Sequence, residues 1–274
     1  MSKHLRIWLF ALLGTLLTST TLLAQGVITM TTSRAIGEEI VLRIKANGNV
    51  TIEGAQEKSR EADELGRKSY RLKSQTITIR GDVTELYCIY NQLTSLNASR
   101  NRALTTLDCS YNQLTSLDMS KNTALIDLDC SNNQLTSLDV SKNTALEYLT
   151  CSSNQLTSLN VSRNKALTML FCDDNKLTNL NISGCARLTY VMCHSNRLTN
   201  LNISGCISLM DLYCSSNCIN GKAMTKLVNS LPKRRKKRSG VFTVADRSSK
   251  KRGENSCSAT DVTTARRKNW EVRQ

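Results

Sequence analysis

The stretch from Leu104 to Ala124 reads LTTLDCSYNQLTSLDMSKNTA, and the same 21-residue unit recurs on both sides of it. Cysteines stand at Cys88, Cys109, Cys130, Cys151, Cys172, Cys193 and Cys214, one every 21 residues. Three residues after each comes an asparagine (Asn91, Asn112, Asn133, Asn154, Asn175, Asn196, Asn217), and two further on Leu93, Leu114, Leu135, Leu156, Leu177, Leu198 or Ile219. Two residues before each cysteine stands Leu86, Leu107, Leu128, Leu149, Leu170, Val191 or Leu212. A fixed period of this kind is the mark of a repeat architecture, in which one unit buries its apolar edge only by stacking on the next.

Within the unit, Leu-x-Cys predicts a short strand with Leu and Cys inward and their neighbours in solvent. Stacked units give a right-handed coil with a parallel sheet on one side, about 29 Å from Cys88 to Cys214 at the usual strand spacing. The asparagine column is placed to satisfy backbone groups in the turn of the adjacent coil. On the back, Ser-Lys-Asn-Thr-Ala-Leu is too short for a long helix, so Ser120, Ser141 and Ser162 are expected to cap a tight helical turn. A compact back makes a shallow arc.

The unit resembles the leucine-rich repeat pattern L-x-x-L-x-L-x-x-N-x-L, with cysteine in the third leucine place. Its length and cysteine column are similar to bacterial internalin-like proteins, particularly the internalin J type with its cysteine ladder. The resemblance covers Val83 to Asn220, about half the chain. It implies a leucine-rich repeat solenoid, a parallel β coil with short back turns, and adhesion to host or neighbouring bacterial cells, including biofilm formation. For function the implication is weak, because one scaffold serves many partners.

The flanks divide the chain further. Lys3 and Arg6 precede the apolar run Ile7 to Leu17, and Leu22-Leu23-Ala24-Gln25 offers a cut after Ala24, so residues 1–24 read as a signal peptide. The first cysteine is Cys88, which argues against a lipoprotein. Residues 25–82 read as a small β N-terminal cap: Val27 to Thr31, Ile40 to Lys45, a hairpin at Asn47-Gly48-Asn49, Val50 to Glu53, and Thr76 to Arg80. Ile77 to Val83 is expected to stack as a first, atypical coil. Residues 83–220 hold the seven repeats. Residues 221–274 read as an α/β C-terminal cap, with helices Lys222 to Leu231 and Ala259 to Lys268 and strands Val241 to Ala245 and Trp270 to Val272.

Composition sharpens when divided this way. Of a formal net charge of +15 over 274 residues, the segment 222–274 supplies most, with 16 Lys/Arg against 4 Asp/Glu, whereas 86–221 has nine of each sign. Lys233, Arg234, Arg235, Lys236, Lys237 and Arg238 form its densest run, followed by Lys250 to Arg252 and Arg266 to Lys268. In an exported chain without an aromatic platform this run points away from specific nucleic-acid recognition. It leaves an electrostatic alternative, attraction to lipopolysaccharide, acidic glycans or extracellular DNA, beside the bland outcome of a solvated loop.

Aromatics are only 4% of the chain, yet seven of the ten beyond the signal peptide occupy positions flanking the inward strand residues: Tyr87, Tyr90, Tyr111, Tyr148, Phe171, Tyr190 and Tyr213. Met169 and Met192 share those rows, with Glu85, Asp108, Asp127 and Asp129 toward the first coils and Asp211 later. Amphipathic side chains that point away from the core suit a partner interface; the competing role is stabilisation of the sheet face by cross-strand pairs. The partner-binding residues expected are these nine with Asp108 and Asp129.

The ladder cysteines are expected to be buried structural thiols, since an inward parallel row offers neither tetrahedral nor disulfide geometry. Cys185 with Cys206 and Cys218 with Cys257 are two pairs for which disulfide and free thiol are both open. Sequons at Asn49, Asn97, Asn160, Asn181 and Asn202 read as by-products of the repeat, four of them at one repeat position. Asp173, Asp174 and His194 would meet across adjacent coils, and no metal is assigned to them. With His4 and His194 the only histidines, no catalytic set can be built. The expectation is a monomeric, exported protein, secreted or at the cell surface with the periplasm not excluded, non-enzymatic, without a cofactor and without a membrane span after cleavage.

Overall fold

The computed structural model describes residues 26–58, 61–235, 238–245 and 255–274. The signal peptide, Lys236, Lys237 and Lys250 to Arg252 lie outside the described residues.

The N-terminal cap is antiparallel, formed by β1 (Val27–Thr32), β2 (Glu39–Glu53), β3 (Ala55–Glu57), β4 (Lys68–Leu72) and β5 (Thr76–Tyr87). Two expectations are corrected here. Asn47-Gly48-Asn49 is no hairpin: β2 runs on through it, pairing with β5 from Arg43 opposite Tyr87 to Glu53 opposite Thr78, with a bulge between Asn47 and Thr51. The extra residues are absorbed because Gly81, at φ +139, stands across from them, where a Cβ would meet the Asn49 carbonyl at 2.8 Å. Nor is Ile77 to Val83 a coil. It is the first half of β5, antiparallel to β1 and β2, and only Glu85–Tyr87 joins the parallel stack. One strand therefore welds cap to solenoid.

From there β6 (Leu93–Asn97) pairs back onto β1, and β7 (Thr106–Asp108), β8 (Asp127–Asp129) and β9 (Tyr148–Thr150) add in parallel register. On the back, β10 (Ser158–Asn160) pairs with β12 (Asn179–Asn181), while β11 (Met169–Phe171), β13 (Tyr190–Met192) and β14 (Asp211–Tyr213) continue the main sheet. In β7, β8, β9, β11, β13 and β14 the central Leu or Val is fully buried. Regular pairing stops one residue short of the cysteine, although the cysteine N–H still donates to the next coil, as Cys88 does to the Asp108 carbonyl at 2.8 Å.

The back turns are not capped as expected. The Ser120 N–H donates to the Asp118 carboxylate at 2.8 Å, and Ser141 does the same to Asp139, so the acid two residues earlier makes the turn and serine supplies the backbone donor. In other coils asparagine takes that place: Asn97, Asn160, Asn181 and Asn202 accept from Ser99, Ser162, Ser183 and Ser204. The repeated Asn-x-Ser pattern is thus explained by a side-chain turn.

The C-terminal cap prolongs the sheet. After α1 (Lys222–Ser230), β15 (Gly240–Thr243) pairs in parallel with β14, and after α2 (Ala259–Arg267) β16 (Trp270–Arg273) pairs with β15. Phe242 continues the leucine column beside Leu212, and Val272 stands beside Phe242. Helix α2 starts at a capping box, Ser258 with Asp261. Among the described residues no helix is long and apolar enough to cross a membrane.

Candidate functional site

The asparagine and cysteine columns hold the face that the strands present. Asn112 accepts from the N–H groups of Asn91 and Leu93 at 3.1 and 2.9 Å, and its amide donates to the carbonyls of Cys88, Cys109 and Ser110. One side chain satisfies five buried backbone groups across two coils, and four of these bonds repeat in each later coil up to Asn217. All seven ladder cysteines are fully buried free thiols. Burial pushes every one of them up from the ordinary thiol value, with Cys214 at about 12, so they are structural and unreactive.

Cys185 and Cys206 are also free and buried. They take over from a second asparagine column, Asn101, Asn122, Asn143 and Asn164, on the back. Their thiols donate to the Val161 and Ile182 carbonyls at 3.3 and 3.1 Å, the bonds asparagine makes in earlier coils. Cys218 is exposed and Cys257 half-buried, both free.

On the outward side, one row of strand positions carries Glu85, Thr106, Asp127, Tyr148, Met169, Tyr190 and Asp211, and the other Tyr87, Asp108, Asp129, Thr150, Phe171, Met192 and Tyr213. The aromatics expected on this face fall into two groups. Toward the C-terminal coils Phe171, Tyr190 and Tyr213 form a staggered run, with centroids 5.1 and 5.3 Å apart, beside exposed Tyr148 and Met169. Burial and the neighbours Tyr213 and Asp211 push the Tyr190 phenol up to about 12. Met192 lies in register between Phe171 and Tyr213.

Tyr90 and Tyr111 sit elsewhere. They stack at 4.2 Å in the turn after the strand, at φ 58 and 55, where later coils place Asn132, Ser153, Asp174, Ser195 and Ser216. Tyr87 lies under the Arg43 guanidinium of the N-terminal cap, 4.6 Å from its centroid. The pairing of Arg43 with Tyr87 was invisible in the repeat pattern, because Arg43 arrives from β2.

Between the two aromatic groups lies a hollow of about 260 Å³ walled by Tyr87, Tyr148 and Phe171 over Asp108, Asp127 and Asp129. Asp108 and Asp129 each accept from the N–H and hydroxyl of the serine two residues on. Asp127 has no such partner, and burial followed by its two acidic neighbours raises its carboxyl above the ordinary range. Burial raises Asp129 as well. The hollow is thus a desolvated negative spot framed by aromatic rings, chemistry that favours a cationic side chain.

The Asp173, Asp174 and His194 groups come within 4.8 Å of one another. Asp173 accepts from Ser152 at 2.6 Å, and His194 lies 3.2 Å from the Ser195 hydroxyl. We assign no metal to this flank.

Lys233, Arg235 and Arg238 are exposed, but Arg234 is half-buried, and the Lys268 ammonium donates to the Val228 and Leu231 carbonyls at the end of α1.

No family model and no curated protein matches the chain. Solved structures do. The functional domain of InlJ from Listeria monocytogenes, described as including a cysteine ladder, is 32% identical, covering 60% of this chain and 40% of that one, with a TM-score of 0.44. Internalin C2 of Listeria monocytogenes is 18% identical over 69% of this chain and 80% of its own, with a TM-score of 0.53. The leucine-rich repeat protein LIC12759 of Leptospira interrogans is 19% identical over 64% and 44%, with a TM-score of 0.49. The chain spans less than half of the InlJ and Leptospira structures. With its 21-residue coils, buried cysteine row and capped parallel sheet, this chain has the fold of a leucine-rich repeat solenoid, similar to that of internalin C2.

Proposed function

We propose that the protein is exported and binds another protein, on a host or neighbouring bacterial cell, through its concave strand face in an adhesin-like role. One observation carries this: Tyr148, Met169, Phe171, Tyr190 and Tyr213 form a continuous apolar and aromatic surface at outward strand positions, where the core gains nothing from them. Such residues are rigid, amphipathic and favoured at interface centres. The fold supports it, because solenoids of this kind are usually binding and not catalytic modules.

The test is binding of the labelled mature chain to intact cells. Replacing Tyr148, Phe171, Tyr190 and Tyr213 with serine should remove binding while leaving circular dichroism unchanged, and protease treatment of the cells should do the same. A folded quadruple variant that still binds sinks the proposal.

Exposed Lys233, Arg235 and Arg238, with no ion pair among the described residues, favour the alternative of anionic surface polymers bound through the C-terminal cap. Their replacement by glutamine tests it better than deleting the segment. Pro232 accepts from the Trp270 indole, and the Arg234 N–H donates to Lys268, so a deletion would open the cap. Under this alternative, attachment falls steeply with salt; through the aromatic face it hardly changes.

A further inference from the structure

Where the N-terminal sheet meets the first coil lies a cleft of about 700 Å³, within the usual size range of ligand sites. Val41, Ile89, Tyr87 and Tyr90 form its apolar lining, and Arg34 and Arg43 stand among its charged residues. Its acids are engaged within the fold. Glu39 pairs with Lys58 at 2.6 Å and Asp63 with Arg67 at 2.7 Å, and Glu61 has a partner of its own.

The two arginines are not neutralised in the same way. Arg34 pairs with no carboxylate among the described residues; its Nη2 donates to the Tyr90 carbonyl at 2.9 Å. Arg43 lies over Tyr87. Its one acid among the described residues, Glu85, is 3.6 Å away and is held more closely by Lys45 at 2.8 Å. The lining balances three arginines with three acids, but Arg34 and Arg43 are the two guanidinium groups that no close carboxylate holds among the described residues.

A separate feature singles out the same place. Tyr90 and Tyr111 occupy left-handed backbone where the later coils use Asn, Ser or Asp. A bulky side chain in that region is uncommon and costs conformational energy that the core does not require. Here it stacks the two rings on each other and leaves Tyr90 61% exposed where it lines the cleft.

We propose that this cleft is a second binding site, which takes a peptide segment carrying a carboxylate side chain next to an aromatic one. The carboxylate meets Arg34 and Arg43, whose planar forks suit it, and the ring packs on Tyr90 and Tyr87. A peptide is the fitting occupant because the cleft is continuous with the strand face: Tyr87 lines both it and the acidic hollow. A segment lying along the face has its acidic residue drawn to the cleft and its basic residue to the hollow.

The test uses two fluorescein-labelled octapeptides of equal phenylalanine content, one alternating with glutamate and the other with lysine, titrated into the mature chain by fluorescence anisotropy. The glutamate peptide should bind at least tenfold tighter, and Arg43→Gln and Arg34→Gln should each weaken it at least fivefold. Should Arg34→Gln lose its fold by circular dichroism, Arg43→Gln with Tyr90→Ser carries the test. Glutamate-peptide binding untouched by the arginine variants, or lysine-peptide binding weakened by them to the same degree, overturns the proposal. Loss on Tyr213→Ser alone, with the arginine variants silent, also overturns it and moves the peptide to the concave face. Retention of cleft binding in the quadruple serine variant keeps this site separate from the one proposed above.

Discussion

Asn255 repeats for the last coil what Asn217 does one rung earlier. Asn217 accepts from the Leu198 N–H and donates to the Cys193 carbonyl, each at 2.9 Å; Asn255 accepts from the Ile219 N–H at 2.7 Å and donates to the Cys214 carbonyl at 2.6 Å. The asparagine ladder therefore has an eighth rung, supplied by the C-terminal cap. At the other end Asn91 exchanges both bonds with the backbone of Val41. Both open ends of the stack are closed by the same amide chemistry.

Removing that last rung should be felt locally and strongly. Asn255→Ala leaves the Ile219 N–H and the Cys214 carbonyl buried without this partner, at a cost of about 2 to 4 kcal/mol. Urea unfolding measures the loss, and hydrogen exchange should show it concentrated between Cys214 and Trp270.

Asp127 should trade stability against binding. Its carboxyl is raised by burial and by Asp129 and Asp108, so the charged form is disfavoured in the folded state. The penalty is present at neutral pH, declines as pH falls through the raised folded value and is gone below the ordinary value of 3.8. Asp127→Asn should stabilise the chain at pH 7 by about 0.5 kcal/mol and give no gain at pH 3, in paired denaturation curves. The same variant should weaken binding of a partner that places a cation in the hollow.

The back turns titrate in the opposite sense. The Ser120 and Ser141 N–H groups hold the carboxyls of Asp118 and Asp139 below the ordinary value of 3.8. Their contribution is complete above that value and is lost as pH falls through the lower folded values. The double variant Asp118→Asn, Asp139→Asn should fold as well at pH 7, since Asn160 and Asn181 make the same turn. Its thermal midpoint should fall less than that of the parent between pH 5 and pH 2.

Asn143 and its equivalents show why cysteine can replace them. The Asn143 amide donates to the Met119 and Asn122 carbonyls, but its own Oδ1 is buried with no donor, as are those of Asn101, Asn122 and Asn164. A thiol supplies a donor and leaves no such orphaned acceptor. Asn143→Cys should cost under about 1 kcal/mol, whereas Asn143→Leu, which offers no donor, should cost about 2 to 4 kcal/mol; chemical denaturation of the two variants compares them.

The coil was legible because its evidence is local and repeated: Leu107, Cys109 and Asn112 have the same surroundings in every copy, so spacing alone reports burial. The helices and strands of the C-terminal cap were legible because each is a local run, from Lys222 to Leu231 through Trp270 to Val272. The hairpin at Gly48 was misread because a glycine flanked by asparagines signals a turn and a bulge alike, and only Gly81 across the sheet decides between them. Ser120 was misread because Asp118 competes for the same turn.

The sequence by itself determined the period, the buried columns and which side chains face outward, since stacking identical coils leaves one register that buries leucine and cysteine together. The tertiary structure decided what meets what. It split the aromatics into a staggered run and a stacked pair, set Arg43 on Tyr87 and Asn255 above Asn217, and turned Lys268 from a surface cation into a helix cap. Those contacts join residues far apart in the chain, and no spacing encodes them, because they depend on how each cap folds back onto the end of the coil.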